Sequence, residues 1–290
     1  MILASYSDDV PEGAGPIALR RPAAASTPFV FASPHSGRGY HACFLEQTPV
    51  GLAALRRSED AYVDQLFACV PEFGAPLLAA TFPRVFVDPN RAPDELDPDM
   101  FDPPAAIAGP VSSRAAAGLG LVPRLGADGR ALYGRTLPLA EARRRIESCY
   151  APYHAALRGL IDESLAAFGE AVVIDCHSMP SASARGADVV LGDRYGVSCS
   201  RGLVARAEAH FRDLGFAVVR NRPYAGGYTT EYYGRPARGV QALQIEINRG
   251  LYLDEARVRR SSGFNPLARA IADWTGRMIE EAAGGQVAAE

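Results

Sequence analysis

The sequence contains no lysine, and all 30 of its basic residues are arginine. This absence excludes three classes of enzyme. Enzymes that form a Schiff base with a carbonyl substrate or with pyridoxal phosphate need a lysine amine. P-loop NTPases need the lysine of their phosphate loop, and protein kinases need a lysine on a strand of the ATP site. The formal net charge of −3 also gives no electrostatic reason to expect nucleic acid or an anionic membrane as a partner.

The sequence also lacks the signals of secretion and of membrane insertion. Its five cysteines include no Cys-x-x-Cys pair and are odd in number, which is typical of reduced thiols. Residues 1–27 show no basic segment followed by an apolar one, so we expect no signal peptide. No apolar run reaches the roughly 18 residues that a membrane helix requires. We therefore expect a cytoplasmic protein.

The length of 290 residues suits one large α/β domain. We predict an N-terminal arm at 1–27, a single catalytic domain at 28–283 and a flexible tail at 284–290. Within the domain, residues 92–137 lack periodicity and contain many Pro, Gly and Asp residues. Loops of this length are uncommon in compact domains unless they have a function, so we interpret the segment as an active-site cover, partly folded on itself.

Apolar runs alternate with segments of helical spacing along the chain. The predicted strands are 29–33, 76–81, 85–88, 171–175, 188–191, 216–219 and 242–247, and the predicted helices are 58–70, 139–168 with a kink or division at Pro152, 200–214 and 266–283. Because several strands are continuous apolar runs, we expect a central, largely parallel sheet that is covered on both faces. Ligands of such sheets bind at the carboxyl ends of the strands.

Two of the five histidines have a distinctive setting. His35 and His177 each follow a predicted strand and precede a serine, so their imidazoles can converge at one edge of the sheet. Catalytic zinc commonly binds three protein ligands, often two histidines and a carboxylate, and keeps one position for water. We therefore favour a metal site over two hydrogen-bonded structural histidines. We interpret the others as surface or packing residues, and they are His41, His154 and His210.

The carboxylate ligand of this site can be Asp60 or Glu59, since both lie at the start of a predicted helix after the His35 strand. Spacing alone does not choose between them. Acidic residues are also common in a first turn for another reason, because they complement the helix dipole.

Glu246 is the candidate general base. Along its strand the apolar residues alternate with Gln244, Glu246 and Asn248, which places these three side chains on one polar face. A carboxylate beside a metal site can take a proton from water and later pass it to a leaving amine. The alternative is an edge strand whose polar face meets solvent.

Arginines supply the third element of the predicted site. Arg84 and Arg91 flank the predicted strand 85–88, with Asn90 beside Arg91, and Arg222 precedes a Gly-Gly turn. A guanidinium binds a carboxylate through a bidentate pair of hydrogen bonds. Each arginine alone is more often a surface residue, but their clustering at strand ends indicates a small anionic substrate.

From about Phe29 to Tyr252 the chain resembles the N-formylglutamate amidohydrolase family, and several motifs in a fixed order carry the resemblance. They are Pro34-His35-Ser36-Gly37, Glu59-Asp60, Val87-Asp88-Pro89-Asn90-Arg91, Tyr150-Ala151-Pro152-Tyr153-His154, Asp175-Cys176-His177-Ser178, Gly192-Asp193-Arg194-Tyr195-Gly196, Asn221-Arg222-Pro223-Tyr224-Ala225-Gly226-Gly227-Tyr228-Thr229-Thr230 and Gln244-Ile245-Glu246-Ile247-Asn248. The family is similar to the zinc carboxypeptidase and aspartoacylase clan. The resemblance implies a three-layer αβα sandwich around a mixed, largely parallel sheet.

The resemblance also implies roles for individual residues. It implies one Zn²⁺ ion bound by His35, His177 and Asp60, with Glu246 as the catalytic carboxylate. The pair Asn90-Arg91 is similar to the clan's clamp for the substrate carboxylate. Further candidates for substrate binding are Arg84, Arg222 and Thr229.

The implied activity is hydrolysis of N-formyl-L-glutamate, or of a similar N-acyl acidic amino acid, to formate and L-glutamate. Two alternatives remain at this point. One is another zinc amidase or carboxypeptidase-like hydrolase on the same scaffold. The other is a non-catalytic protein that binds acidic metabolites through the arginine cluster. The oligomeric state stays open.

Overall fold

The structure, a computed structural model, describes residues 15–104 and 110–287. The chain forms two compact units that alternate along the sequence. The first unit consists of residues up to 18, 34–61 and 79–156, and the second of 19–33, 62–78 and 157 onward. The predicted domain boundaries at 27 and 283 stay predictions.

In the described residues the chain forms eleven strands and ten α-helices. The strands are β1 (Ile17–Arg20), β2 (Phe29–Ser33), β3 (Leu77–Ala80), β4 (Phe101–Asp102), β5 (Leu137–Pro138), β6 (Ala171–Met179), β7 (Val189–Gly192), β8 (Val218–Arg220), β9 (Val240–Asn248), β10 (Leu253–Asp254) and β11 (Arg259–Arg260). The helices are α1 (Ala42–Leu45), α2 (Leu52–Leu55), α3 (Val63–Leu66), α4 (Ser113–Ala116), α5 (Leu139–Arg145), α6 (Ala151–Phe168), α7 (Ser181–Ala184), α8 (Arg201–Asp213), α9 (Tyr228–Tyr233) and α10 (Phe264–Val287). None of these helices is both long and apolar enough to cross a membrane.

Seven strands form the central sheet in the order β1-β3-β2-β6-β9-β7-β8. β2 and β9 both run parallel to β6, β8 runs parallel to β7, and β7 runs antiparallel to β9. All residues of β2 and β6 are buried, so both faces of the sheet are covered at its centre. The prediction of a mixed, largely parallel α/β sheet is confirmed.

The second unit buries its helices through aromatic contacts. Trp274 of α10 is fully buried and stacks on Phe211 of α8, with ring centroids 4.7 Å apart. Its indole N–H donates a hydrogen bond of 3.1 Å to the carbonyl of Ala207. A buried tryptophan needs such a partner, because an unpaired indole N–H costs free energy in an apolar core.

The first unit contains the segment 92–137, and parts of this segment contact one another. β4 and β5 pair in parallel, and Leu125 bridges to Ala131. Leu121, Val122 and Leu132 are buried. Residues 105–109 lie outside the described residues, and the function of the segment as a cover stays a prediction.

The first unit contains a buried arginine. The guanidinium of Arg145 is 4.2 Å from the ring centroid of Phe86 and donates to the Phe86 carbonyl at 2.9 Å. It also donates to the Tyr133 hydroxyl at 2.6 Å and pairs with Glu141 at 2.8 Å. The side chain of Arg145 is 1% exposed, so its charge depends on these partners.

The predicted helix 58–70 is wrong. Residues Arg56–Ser58 form a 3₁₀ turn, the chain is extended at Glu59, and Tyr62 has a left-handed φ of 64°, so α3 covers only Val63–Leu66. The reason is tertiary, because the Asp60 N–H donates to the His35 carbonyl at 3.0 Å instead of to a helical carbonyl.

The predicted strand 85–88 is also wrong. Pro83 and Pro89 flank the segment and cannot donate to a ladder, and the Phe86 N–H closes a turn onto the Pro83 carbonyl. The predicted helix 139–168 is confirmed, but a π-helical turn at Ile146–Tyr150 separates α5 from α6. This turn ends two residues before Pro152, which has no N–H to donate.

Candidate active site

His35 lies two residues beyond the end of β2, in a turn that requires a glycine. A Cβ atom at Gly37 would lie 1.9 Å from the Phe82 carbonyl oxygen, so only glycine allows this approach of the two backbones. The imidazole is buried. Its Nδ1 lies 3.3 Å from Asp60 Oδ2, and its Nε2 lies 2.7 Å from Asp88 Oδ1.

His177 lies within β6, which continues past the predicted end at Asp175. In the parallel pairing of β6 with β9, His177 is the partner of Glu246, and Asp175 is the partner of Gln244. Paired residues of neighbouring strands point to the same face, as do residues two apart on one strand. These four polar side chains therefore form one patch on the sheet, where His177 Nε2 lies 3.0 Å from Asp175 Oδ2.

The structure brings His35, Asp60 and His177 together. One ligand atom from each lies within 4.8 Å of the other two, and all three residues are buried. Two imidazoles and one carboxylate are the donor set typical of catalytic zinc. The carboxylates of Asp88 and Asp175 each lie against Nε2 of one imidazole, as outer partners of metal-bound histidines do. These residues therefore fit a divalent metal ion.

Glu59, the other candidate carboxylate, has different partners. It accepts hydrogen bonds from Arg56 Nε at 3.0 Å and from Arg56 Nη2 at 3.3 Å. Burial raises the pKa of Glu59, while Arg56 and the hydrogen bond from Tyr40 act in the opposite direction. The structure thus distinguishes the two neighbouring acids. Asp60 lies with His35 and His177 in the group that fits a metal, called the metal group below, whereas Glu59 forms an ion pair with Arg56.

Glu246 is 7% exposed and is held by its own strand. Gln244 Nε2 donates to Glu246 Oε1 at 2.9 Å, and Gln244 Oε1 accepts the Gly227 N–H at 2.8 Å. Gly227 is the N-cap of α9, whose Thr229 is fully buried. β9 lies between β6 and β7, so the edge-strand alternative is wrong.

Three of the predicted substrate-binding residues surround Asp88. Arg84 Nη2 lies 2.7 Å from Asp88 Oδ2, and the Asn90 N–H donates to Asp88 Oδ1 at 2.8 Å. Arg91 Nε donates to the Leu119 carbonyl at 2.9 Å. Burial lowers the pKa of Arg91, which means that its charge is partly withdrawn from solvent.

Arg222 differs from these residues. It is exposed, and it follows Asn221, which has a left-handed φ of 59°. Its function in substrate binding stays a prediction.

A sequence profile of the N-formylglutamate amidohydrolase family matches residues 27–253. The chain belongs to this family. The matched region of the chain includes every candidate site residue from His35 to Glu246. N-formylglutamate deformylase of Pseudomonas putida is 30% identical over 239 residues, which cover 79% of this chain and 82% of that protein. The deformylase of Pseudomonas aeruginosa is 34% identical over 204 residues, which cover 68% and 71%.

Solved structures agree with this family assignment. The crystal structure of N-formylglutamate amidohydrolase from Ralstonia eutropha JMP134 has a TM-score of 0.89 at 38% identity, covering 94% of this chain and 100% of that chain. A protein of Agrobacterium tumefaciens has a TM-score of 0.68 at 18% identity, covering 92% and 96%. At that identity the second likeness shows a shared fold only.

Sequence reasoning missed Asp88 and Asp175 as partners of the histidines. Asp175 could have been found, because it lies two residues before His177 and therefore on the same face of a strand. Asp88 had no such local signal, since it lies 53 positions after His35 and contacts it only in the folded chain.

Proposed function

We propose that this chain is a zinc-dependent hydrolase that cleaves N-formyl-L-glutamate to formate and L-glutamate. One observation carries the proposal: a buried group of two histidines and an aspartate is paired, through the register of β6 and β9, with a buried glutamate. Membership of the N-formylglutamate amidohydrolase family supports the choice of substrate. Two relatives named N-formylglutamate deformylase support it further.

His35, Asp60 and His177 are the residues that would hold the metal. Because Nε2 of each imidazole lies against a carboxylate, Nδ1 is the nitrogen that each ring offers to an ion. A bound zinc ion would supply Lewis acidity, which makes the attacking water more acidic and polarises the formyl carbonyl. Three protein ligands leave room for water and substrate.

Glu246 carries the proton in this proposal. Its carboxylate takes the proton of the attacking water and later gives it to the nitrogen of the leaving amine, so that L-glutamate departs neutral at that nitrogen. The hydrogen bond from Gln244 fixes one oxygen, Oε1, and so restricts the orientation of the whole carboxylate. Low exposure strengthens these interactions, because little water competes for the carboxylate.

Arg91 and Asn90 are proposed to bind a carboxylate of the substrate. A half-buried guanidinium gains more from a carboxylate partner than an exposed one, since its solvation is already reduced. Arg84 pairs with Asp88 and is close enough to Arg91 to act on its charge, so it adds positive charge to this region. Arg222 and Thr229 are the next candidates for the remaining polar groups of the substrate.

Elemental analysis and formate release together test the proposal. Protein purified without chelators is expected to contain about one zinc ion per chain and to release formate from N-formyl-L-glutamate. A panel with N-acetyl-L-glutamate and a glutamyl peptide measures the acyl preference. Preference for either of those compounds would favour another amidase on this scaffold. Tight L-glutamate binding without metal or turnover would favour a binding protein.

We also propose that the protein functions in the cytoplasm. The five cysteines are free thiols, of which Cys43 is exposed and Cys69 and Cys149 are partly exposed, and free thiols are typical of a reducing compartment. Cell fractionation with an antibody against the chain tests this proposal, and recovery in the periplasmic fraction would contradict it.

A further inference from the structure

The carboxylate of Asp88 contacts several parts of the candidate site at once. Its Oδ1 lies 2.7 Å from His35 Nε2 and accepts the N–H of Asn90 at 2.8 Å. Its Oδ2 accepts a hydrogen bond of 2.7 Å from Arg84 Nη2. Asp88 is 2% exposed, and its own N–H donates to the Leu121 carbonyl at 2.7 Å. One buried side chain therefore contacts both a candidate metal ligand, His35, and the turn 88–91, which contains Arg91.

The contact with His35 determines which ring nitrogen is available to a metal. A carboxylate only accepts hydrogen bonds, so the proton of the neutral imidazole lies on Nε2, facing Asp88. Nδ1 then keeps its lone pair, and it lies 3.3 Å from Asp60 Oδ2 in the metal group. Loss of such a carboxylate partner typically lowers metal affinity about 10- to 100-fold.

The other contacts of Asp88 shape the turn that carries Arg91. The bond from the Asn90 N–H closes a turn across Pro89, and the Arg91 N–H donates to the Asp88 carbonyl at 3.3 Å. Burial disfavours the charged form of Arg91, and attraction by the Asp88 carboxylate offsets part of this effect on its pKa. Without that carboxylate, Arg84 and Arg91 would be two neighbouring cations that repel each other.

We propose that Asp88 is a positioning residue that couples metal binding to carboxylate binding. It holds His35 in the tautomer that binds metal, and it holds the Asn90–Arg91 turn in the conformation that binds a substrate carboxylate. The inference rests on the proposed function, because it takes His35 as a ligand and Arg91 as the clamp. Asp88 acts through His35 and through the turn 88–91, so its loss is expected to change two affinities together.

Asp175 provides a matched control. Its Oδ2 lies 3.0 Å from His177 Nε2, and it is fully buried. It lies inside β6 and pairs with the strands on both sides, so it is not part of the turn 88–91. Asp88→Asn and Asp175→Asn each remove one carboxylate from one histidine, but only Asp88→Asn also alters the turn.

The experiment measures two dissociation constants on the full chain. The dissociation constant of zinc is measured by competition with a chelator. The dissociation constant of L-glutamate is measured by calorimetry on protein that is kept saturated with zinc. Asp88→Asn is expected to weaken zinc binding about 10- to 100-fold and L-glutamate binding about tenfold, the effect of roughly one lost polar contact. Asp175→Asn is expected to weaken zinc similarly and to keep L-glutamate affinity within about twofold of the wild type.

Three results would overturn the proposal. Unchanged zinc affinity in Asp88→Asn would show that Asp88 does not prepare His35 for metal binding. Unchanged L-glutamate affinity would show that Asp88 does not couple metal binding to carboxylate binding. If Asp88→Asn is unfolded by circular dichroism, Asp88→Glu replaces it. This variant keeps the negative charge but lengthens the side chain, so the same two losses are expected. Failure of both variants to fold, while Asp175→Asn folds, would make Asp88 a folding residue only.

The outcome is separable from that of the proposed reaction. Neither dissociation constant requires turnover. A wild-type protein that binds zinc and L-glutamate but releases no formate would contradict the proposed hydrolysis and would still allow the comparison of Asp88 with Asp175.

Discussion

Gln244 Nε2 donates a hydrogen bond to Glu246 Oε1, and Gln244 Oε1 accepts the Gly227 N–H, so one amide connects the proposed proton carrier to the first turn of α9. Gln244→Met removes both bonds at similar volume. We expect kcat for formate release to fall about tenfold, the effect of roughly 1.4 kcal/mol of lost orientation, with a smaller change in KM. Gln241→Met, on the opposite face of β9, is the control and should leave kcat unchanged.

Glu246→Gln should separate metal binding from proton transfer. The new amide keeps the shape of the side chain and can still accept the hydrogen bond from Gln244, but it cannot take a proton from water. We expect wild-type zinc content and a loss of kcat of about 10²- to 10⁴-fold. Glu147→Gln changes an exposed carboxylate and should be silent. Near-normal turnover in Glu246→Gln would remove this residue from the mechanism.

His177→Ala removes one of three proposed ligands. We expect the variant to lose its zinc during dialysis and to lose formate release with it, because two ligands hold a divalent ion far less tightly than three. Zinc per chain is measured by elemental analysis. His41→Ala, at an exposed histidine, should keep one ion per chain. Retention of the ion by His177→Ala would contradict the assignment of this ligand.

Arg91→Met should weaken substrate binding more than it slows the chemical step. A lost charge-assisted contact of about 1.5 to 3 kcal/mol corresponds to a rise of KM of roughly 10- to 100-fold. Arg91→Lys should recover only part of the loss, because an ammonium cannot form the bidentate pair. Arg222→Met is measured in parallel. A larger rise of KM in Arg222→Met than in Arg91→Met would indicate that Arg222, not Arg91, binds the substrate carboxylate.

Arg145→Met should destabilise the chain. Of the two arginines that pair with Glu141 it removes the buried one, leaving only the exposed Arg144, and it removes the donors to the Phe86 carbonyl and the Tyr133 hydroxyl. Breaking a buried ion pair in this way costs about 3 to 5 kcal/mol of the free energy of unfolding, measured in urea. Arg143→Met, on the exposed side of the same helix, should cost less than about 0.5 kcal/mol.

The sequence predicted the parts of the site that lie at or near the carboxyl ends of strands. Continuous apolar runs identify buried strands, and the ends of parallel strands meet at one edge of a sheet. This reasoning was sufficient to bring His35 and His177 together, as the structure does. Alternation along β9 likewise placed Gln244 and Glu246 on one face.

The sequence could not predict the parts that depend on tertiary contacts. Glu59 and Asp60 are neighbours of similar chemistry, and only the folded chain separates the ion pair with Arg56 from the metal group. The run 85–88 is too short for its period to distinguish a strand from a turn. Asp88 therefore was predicted as a strand residue, although its carboxylate accepts hydrogen bonds within a turn.

The π-helical turn Ile146–Tyr150 makes the number of residues between α5 and α6 important. It adds one residue relative to a regular α-helix, and each residue rotates a helix by about 100°. Arg145, directly before this turn, is buried in the core. Tyr150, its last residue, and His154, four residues later, each donate to a carbonyl of the turn 88–91 at 2.9 Å. Deleting one residue here would make the helix regular and rotate Tyr150 and His154 away from these carbonyls. Homologous sequences are therefore expected to tolerate substitutions in this stretch better than insertions or deletions.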